Sequence, residues 1–227
     1  MNKQLRYELK FYIHKAQYTI LRSRLGAVLG RDEHMPDANG YHIRSLYFDD
    51  IYNTALKEKI SGIERRKKHR IRIYNLRSDV IKLECKEKFG DLIAKRSARI
   101  DKEVYNQILL GHYTHDMLMI PPEIYCDFKT RILKPVVLVD YIREAYVYPI
   151  GNVRVTFDKN LETSVDSLSI FDHDTFNVNV FDGDIVVLEI KYDAILPNFI
   201  RDLLRLEYFD RCAISKFALC RQKMRKI

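Results

Sequence analysis

Leu188-Glu189-Ile190-Lys191-Tyr192-Asp193, led in by Ile185-Val186-Val187, is the stretch on which the reading of this chain turns. Side chains of a strand alternate between its two faces, so Leu188, Ile190 and Tyr192 share one side. Glu189 and Lys191 share the other with Val187. The same unit, an apolar residue followed by Glu, any residue and Lys, recurs as Tyr7-Glu8-Leu9-Lys10 and as Leu83-Glu84-Cys85-Lys86. Three strands that each aim a carboxylate and an ammonium group the same way predict one shared polar interior.

Working outward, residues 5–13 alternate as a strand, with Leu5, Tyr7, Leu9, Phe11 and Ile13 opposed to Arg6, Glu8, Lys10 and Tyr12. The period then lengthens over 14–29, where Tyr18, Leu21, Leu25, Val28 and Leu29 form a helical stripe ending at Gly30. A second strand over 41–48 closes on Asp49-Asp50, and a short helix over 51–59 leads to Gly62. The basic run 64–74 alternates in its second half, Ile71 and Ile73 against Arg70, Arg72 and Tyr74. Residues 80–88 form a strand with Lys82, Glu84, Lys86 and Lys88 on one face, and 93–100 its hairpin partner across Gly90-Asp91. Helices are expected over 101–110, capped by Asp101 and ended by Gly111, and from Pro121-Pro122 to about 133. In the strand 136–147, Tyr141 and Arg143 share a face with Val137 and Val139. In 152–163, Arg154, Thr156 and Asp158 oppose Val153, Val155 and Phe157. Residues 178–181 and 185–192 read as a hairpin across Asp182-Gly183, and Pro197 opens a last helix to about 208, before Ser215-Lys216-Phe217 and a basic tail.

No linker, low-complexity segment or break in composition interrupts this order, which predicts a single α+β domain over residues 1–227. Roughly eight antiparallel strands with flanking helices would close as a β-barrel whose interior takes side chains or one slender ligand. The four cysteines are scattered, without zinc spacing, and read as reduced thiols of a cytoplasmic protein. The first residues lack a signal peptide's apolar core, and no run approaches the roughly 18 apolar residues of a membrane span.

A formal net charge of +8 admits polyanionic partners of three kinds, nucleic acid, an acidic membrane surface or phosphate compounds, and charge alone does not choose among them. For any one strand, a face turned to solvent is the better reading of the alternation. Taken together, though, Arg and Lys recur with single spaced Glu residues, and the helices are placed to cover the apolar faces and leave the charged ones inside. Two cations about 8 Å apart at an effective dielectric near 20 repel by roughly 2 kcal/mol, so such an interior needs the Glu residues or an anion to compensate it. Nucleic acid is the competing polyanion. The basic run 65–72 would suit a strand-binding groove, but no helix-turn-helix, zinc-finger or RNP pattern occurs, and the interleaved Glu residues would repel a nucleic-acid backbone. No P-loop, GxGxxG, GxSxG or HExxH is present. The histidines are dispersed; His112 and His115 read as a solvated loop pair without a catalytic role.

Nine pieces, in order along the chain, resemble the polyphosphate-polymerase (VTC) domain of the triphosphate tunnel metalloenzymes, relatives of the CYTH adenylate cyclases and thiamine triphosphatases. They are Arg6-Tyr-Glu8-Leu-Lys10, Ser45-Leu-Tyr-Phe-Asp49-Asp50, Arg70-Ile-Arg72, Leu83-Glu84-Cys-Lys86, Lys95-Arg96, Tyr141-Ile-Arg143, Arg154-Val-Thr-Phe-Asp158, Leu188-Glu189-Ile-Lys191-Tyr-Asp193 and Ser215-Lys216-Phe217. The resemblance implies an antiparallel barrel whose tunnel holds a triphosphate. By position, Lys10, Arg70, Arg72, Lys86, Arg143, Arg154, Lys191 and Lys216 would contact phosphate oxygens, assisted by Lys95, Tyr141 and Ser215. Glu189 would be the principal ligand of Mn²⁺ or Mg²⁺; Glu8 and Glu84 would either complete that site or pair with neighbouring cations. The implied partners are ATP, inorganic triphosphate and polyphosphate, with room for a membrane-protein partner and no assigned oligomeric state.

The implied activity is transfer of the γ-phosphate of ATP to a growing polyphosphate chain. A tripolyphosphatase or nucleoside triphosphatase of the same fold and a non-catalytic polyphosphate-binding module stand as alternatives. Two departures bear on this. The cyclase and triphosphatase branches begin Glu-x-Glu-x-Lys, whereas Arg6 takes the first Glu position here, which favours the polymerase branch. The eukaryotic polymerases also carry an inositol-phosphate-sensing domain and membrane helices, and neither pattern occurs in these 227 residues.

Overall fold

Strands form where apolar and charged residues alternate longest, in a computed structural model that describes residues 5–113, 117 and 119–226. Along the chain these are β1 (Arg6–His14), α1 (Lys15–Val28), β2 (Gly30–Arg31), β3 (Tyr41–Asp49), α2 (Thr54–Ile60), β4 (Arg65–Tyr74), β5 (Arg77–Phe89) and β6 (Leu92–Ile100). There follow α3 (Lys102–Leu110), α4 (Pro122–Arg131), β7 (Lys134–Tyr148), β8 (Val153–Ser164), β9 (Asn177–Asn179), β10 (Ile185–Tyr192), α5 (Asn198–Leu204) and α6 (Lys216–Met224). His115 lies outside the described residues.

The sheet runs β7-β3-β4-β5-β6-β1-β10-β8, and β8 pairs back onto β7, so eight antiparallel strands ring round. The expected α+β, tunnel-like architecture is what forms. Its thinnest seam joins β1 to β6 through two register pairs, Arg6 with Ile93 and Tyr7 with Leu92. Short β2 adds to β7.

Hydrophobic burial fixes which side of the ring faces out. Leu46, Phe48, Ile71, Ile73, Ile81 and Leu83 pack under α3 and α4 through Tyr105, Ile108, Ile124 and Phe128. Phe11, Ile13, Phe157, Leu188 and Ile190 pack under α1 and α5 through Leu21, Leu25, Ile200 and Leu204. The alternate residues of the same strands therefore point inward. That inner face is not charged throughout: Tyr41, Ile43 and Tyr47 of β3 and Val137, Val139 and Tyr141 of β7 join Phe217, Ala218 and Cys220 of α6 in a third cluster. Phe217 stacks on Tyr47 with ring centroids 5.2 Å apart. The interior is thus apolar on the side filled by α6 and ionic on the other.

Three sequence expectations change. Residues 178–181 and β10 do not form a hairpin. β9 pairs with β8 at Glu162–Ser164, and β10 pairs with the same strand at Arg154–Asp158. Both run antiparallel to β8, so they follow one another along one long edge, and the chain around Gly183 (φ +97°) carries on rather than reversing. The last predicted helix stops early, where Arg205 turns left-handed (φ 48°) after α5. Finally, the helix from Pro197 is not the last: the basic tail after Ser215 forms α6, capped by Ser215 Oγ accepting from the Ala218 N–H.

Candidate functional site

Register alone brings the first charges together. In the β1–β10 pair Lys10 lies across from Glu189 and Glu8 across from Lys191. The resulting checkerboard puts the two carboxylates on one diagonal, close enough to repel each other. Lys191 Nζ reaches Glu189 Oε1 at 2.7 Å and Glu8 at 3.8 Å. Lys10 Nζ reaches Glu8 at 3.3 Å and the Ile214 carbonyl at 3.3 Å, and Lys86 of β5 donates to both Glu8 oxygens, at 2.7 and 2.8 Å.

Neighbouring strands repeat the device. Arg70 lies across from Glu84 and donates from Nε to its Oε2 at 2.7 Å and from Nη1 to the Tyr47 hydroxyl at 2.8 Å, while Lys95 holds the other Glu84 oxygen at 2.9 Å. Arg143 lies across from Asp158 and grips it bidentately, at 2.6 and 2.7 Å, with Glu189 at 3.5 Å. Lys216, the first residue of α6, also pairs with Asp158 and stands 3.9 Å from Glu189. Arg72 donates to two hydroxyls, Ser45 at 3.0 Å and Tyr141 at 3.1 Å. Arg154 is drawn to buried Asp32 at 2.6 Å and to the Tyr41 hydroxyl at 3.1 Å. Gly40 lets the β2–β3 connection press onto this region: a Cβ there would sit 2.3 Å from the Arg143 carbonyl oxygen.

The structure thus brings Lys10, Arg70, Arg72, Lys86, Arg143, Lys191, Glu189, Glu8, Glu84, Tyr141, Ser215 and Lys216 to the inner face. Lys95 joins them from a half-exposed position, and Arg154 is tied to Asp32. Sequence reasoning left out Asp158, Asp32, Lys68 and Thr156. Asp158 carried a usable signal, since it shares a strand face with Arg154 and Thr156. Asp32 had none, because it sits in a connection whose path only the fold determines. Lys68 shares the inward parity of Arg70 and Arg72 but falls in the part of the basic run where the apolar alternation is lost. Arg6 pairs with Asp193 at 3.0 Å.

Burial disfavours a charged group, and the partners decide the outcome. Against burial, Arg70, Arg72 and Lys95 hold Glu84 well below the usual carboxylate range, and Lys191 and Lys10 do the same for Glu189. Asp158 is lowered to about 2 because Arg143 and Lys216 outweigh its burial. For two lysines burial wins: Lys191 falls to about 8 despite Glu189 and Glu8, and Lys86 is lowered despite Glu8. Lys10 goes the other way, Glu8 and Glu189 together overcoming its burial. The named cations outnumber the carboxylates, so the ion pairs leave the pocket electropositive. It can neutralise a polyanion and position it by charge-assisted hydrogen bonds.

For a hard divalent cation the fitting donors are oxygens. Glu8 and Glu189 lie together, and the buried Thr156 hydroxyl, across the β8–β10 pair from Glu189, has no hydrogen-bond partner among the described residues. Those three fit such an ion; Glu84 is taken up by Arg70 and Lys95. A second grouping, His69, Cys85 and Asp127, has ligand atoms within 4.8 Å of one another. It lies on the outer side of β4 and β5 under α4, its Asp127 already bonded to Lys67 and His69, and its nitrogen and sulfur donors suit softer metals. The four cysteines are free.

A family model described as the VTC domain matches residues 5–225. No curated protein matches the chain. Among solved structures, a protein from Pyrococcus horikoshii shares 15% identity with a TM-score of 0.52, covering 96% of this chain and 99% of its own. A candidate adenylate cyclase from Vibrio parahaemolyticus shares 12% identity with a TM-score of 0.53, over 96% and 98% of the two chains. One from Bacillus halodurans shares 16% with a TM-score of 0.51, over 91% and 90%. At these identities the likeness is one of fold.

Proposed function

The chain belongs to the VTC-domain family, and from that premise we propose that it is a metal-dependent polyphosphate polymerase, moving the γ-phosphate of ATP onto a polyphosphate chain held inside the ring. One observation carries this reading: cations from β1, β4, β5, β7, β10 and α6 converge on one inner face and exceed the carboxylates that pair them. Phosphoryl transfer asks a protein chiefly for positioning and charge stabilisation, and this face offers both without a protein nucleophile.

In this reading Arg70, Arg72, Arg143 and Arg154 grip phosphate oxygens as forks, while Lys10, Lys86, Lys95, Lys191 and Lys216 act as point charges. Ser215 and Tyr141 add hydroxyl donors. An anhydride chain entering the site takes over cations now held by carboxylates, which frees Glu189 and Glu8 to hold Mn²⁺ or Mg²⁺. Glu189 and Glu8 would hold that ion, which would supply charge neutralisation to the phosphate chain. Glu84 keeps Arg70 and Lys95 in place.

Incubation with ATP and Mn²⁺ is expected to yield ADP and long polyphosphate. Orthophosphate as the sole new phosphate product would assign a hydrolase instead, and tight triphosphate binding without turnover at either metal would leave a binding module. Glu189→Gln is expected to lower kcat by at least about 100-fold, in the range of losing a key electrostatic stabiliser, while triphosphate binding persists. Full turnover by this variant would remove Glu189 from the metal site.

A further inference from the structure

The register of β4, β5 and β6 sets three lysines in a row across the ring: Lys68 faces Lys86, and Lys86 faces Lys95. Like charges directly opposite one another destabilise an antiparallel pair. Two of the three have a carboxylate, Lys86 through Glu8 and Lys95 through Glu84. Lys68 has none among the described residues. Its Nζ lies 2.7 Å from Ser215 Oγ and 5.6 Å from the centroid of the Phe217 ring. Arg72 is likewise held by hydroxyls, but a guanidinium keeps its proton in any protein setting, whereas an ammonium group can give it up.

The charges that bear most on Lys68 are cationic. Lys10 of β1, Lys86 of β5, Arg66 of its own strand and Lys59 of α2 all face it. Glu8, the acid of β1, is occupied by Lys86 and Lys10. Burial first, and then these four charges, hold Lys68 well below the ordinary lysine value. Ser215 Oγ accepts from Lys68 Nζ and from Ala218 N–H, and a hydroxyl, unlike a carboxylate, adds no charge to hold a proton on Nζ.

From this geometry we propose that Lys68 is the proton-loaded member of the anion site, neutral in the empty protein and protonated from solvent when a polyphosphate enters, so that binding is coupled to proton uptake. No bond in the ligand changes; the Nζ lone pair takes a proton, and the new ammonium donates to a phosphate oxygen beside Ser215. The inference rests on the site holding polyphosphate.

Titration calorimetry of a medium-chain polyphosphate at pH 7.5, repeated in two buffers of different ionisation enthalpy, reads the protons exchanged. The ligand's own end groups, Lys86 and Lys191 are present in wild type and variants alike, so the difference reports on Lys68. The wild type is expected to take up more protons than Lys68→Met, by as much as about one per chain bound, with roughly tenfold weaker binding by the variant. Lys68→Arg, charged from the outset, is expected to bind without the extra uptake and to lose less affinity than wild type between pH 7 and 9. Equal uptake by wild type and Lys68→Met would overturn the proposal, leaving the polyphosphate reading intact. No binding by the wild type would overturn that reading and this inference with it.

Discussion

Asp158 shows how one residue holds a region of the site. Its two oxygens take Arg143 in a bidentate grip, and Lys216 joins from α6, so a single carboxylate ties β7, β8 and the C-terminal helix together. Removing one partner of a buried ion pair leaves the other charge uncompensated, typically a loss of about 3–5 kcal/mol. Asp158→Asn is therefore expected to destabilise the empty protein by that order in urea unfolding. An unchanged midpoint would mean that Arg143 and Lys216 find other partners. The pH dependence follows in sign. A carboxyl whose folded value is depressed stabilises above its ordinary value of 3.8 and loses that contribution as pH falls through about 2. Acid unfolding is expected to steepen in that window, and Asp158→Asn to flatten it.

At the scale of elements, helix ends decide how the connections run. α4 ends on Ile132 in the left-handed region (φ 48°), where glycine is the usual occupant and a β-branched residue is strained by roughly 1–2 kcal/mol. The side chain is 66% exposed, so little packing offsets the strain. Ile132→Gly is expected to gain about 0.5–1 kcal/mol after the extra flexibility of the unfolded chain is counted, raising Tm by roughly 2 °C in a chain of this size. A lower Tm would show that the isoleucine packs better than its exposure suggests. α6 illustrates the opposite end. It was not legible in the sequence because its charged and apolar residues form no clear stripe: Phe217, Ala218 and Cys220 are buried within the ring rather than against one outer face. Its cap, Ser215, is also a member of the site, so the same residue starts the helix and faces the lysine row.

At the scale of the molecule, closure of the ring turns local alternation into an enclosed electropositive face. A ligand that binds only the folded state stabilises it by about 2.7 kcal/mol at a hundred times its Kd. Tripolyphosphate is expected to raise Tm by several degrees, and by less at 0.5 M salt, where the more exposed cations are screened. A larger shift with a DNA oligonucleotide than with tripolyphosphate would favour nucleic acid. The strands, their inward parity and the recurring Glu-x-Lys unit were open to reading from the chain, because alternation and charge are local properties. So was the α+β, tunnel-like class. Which charges meet was not. Asp32 reaching Arg154, Asp158 bridging Arg143 and Lys216, β9 following β10 along one edge, and Lys68 without an acid among the described residues all depend on register and on how the ring closes. These set distances between residues far apart in sequence, and no local pattern encodes them.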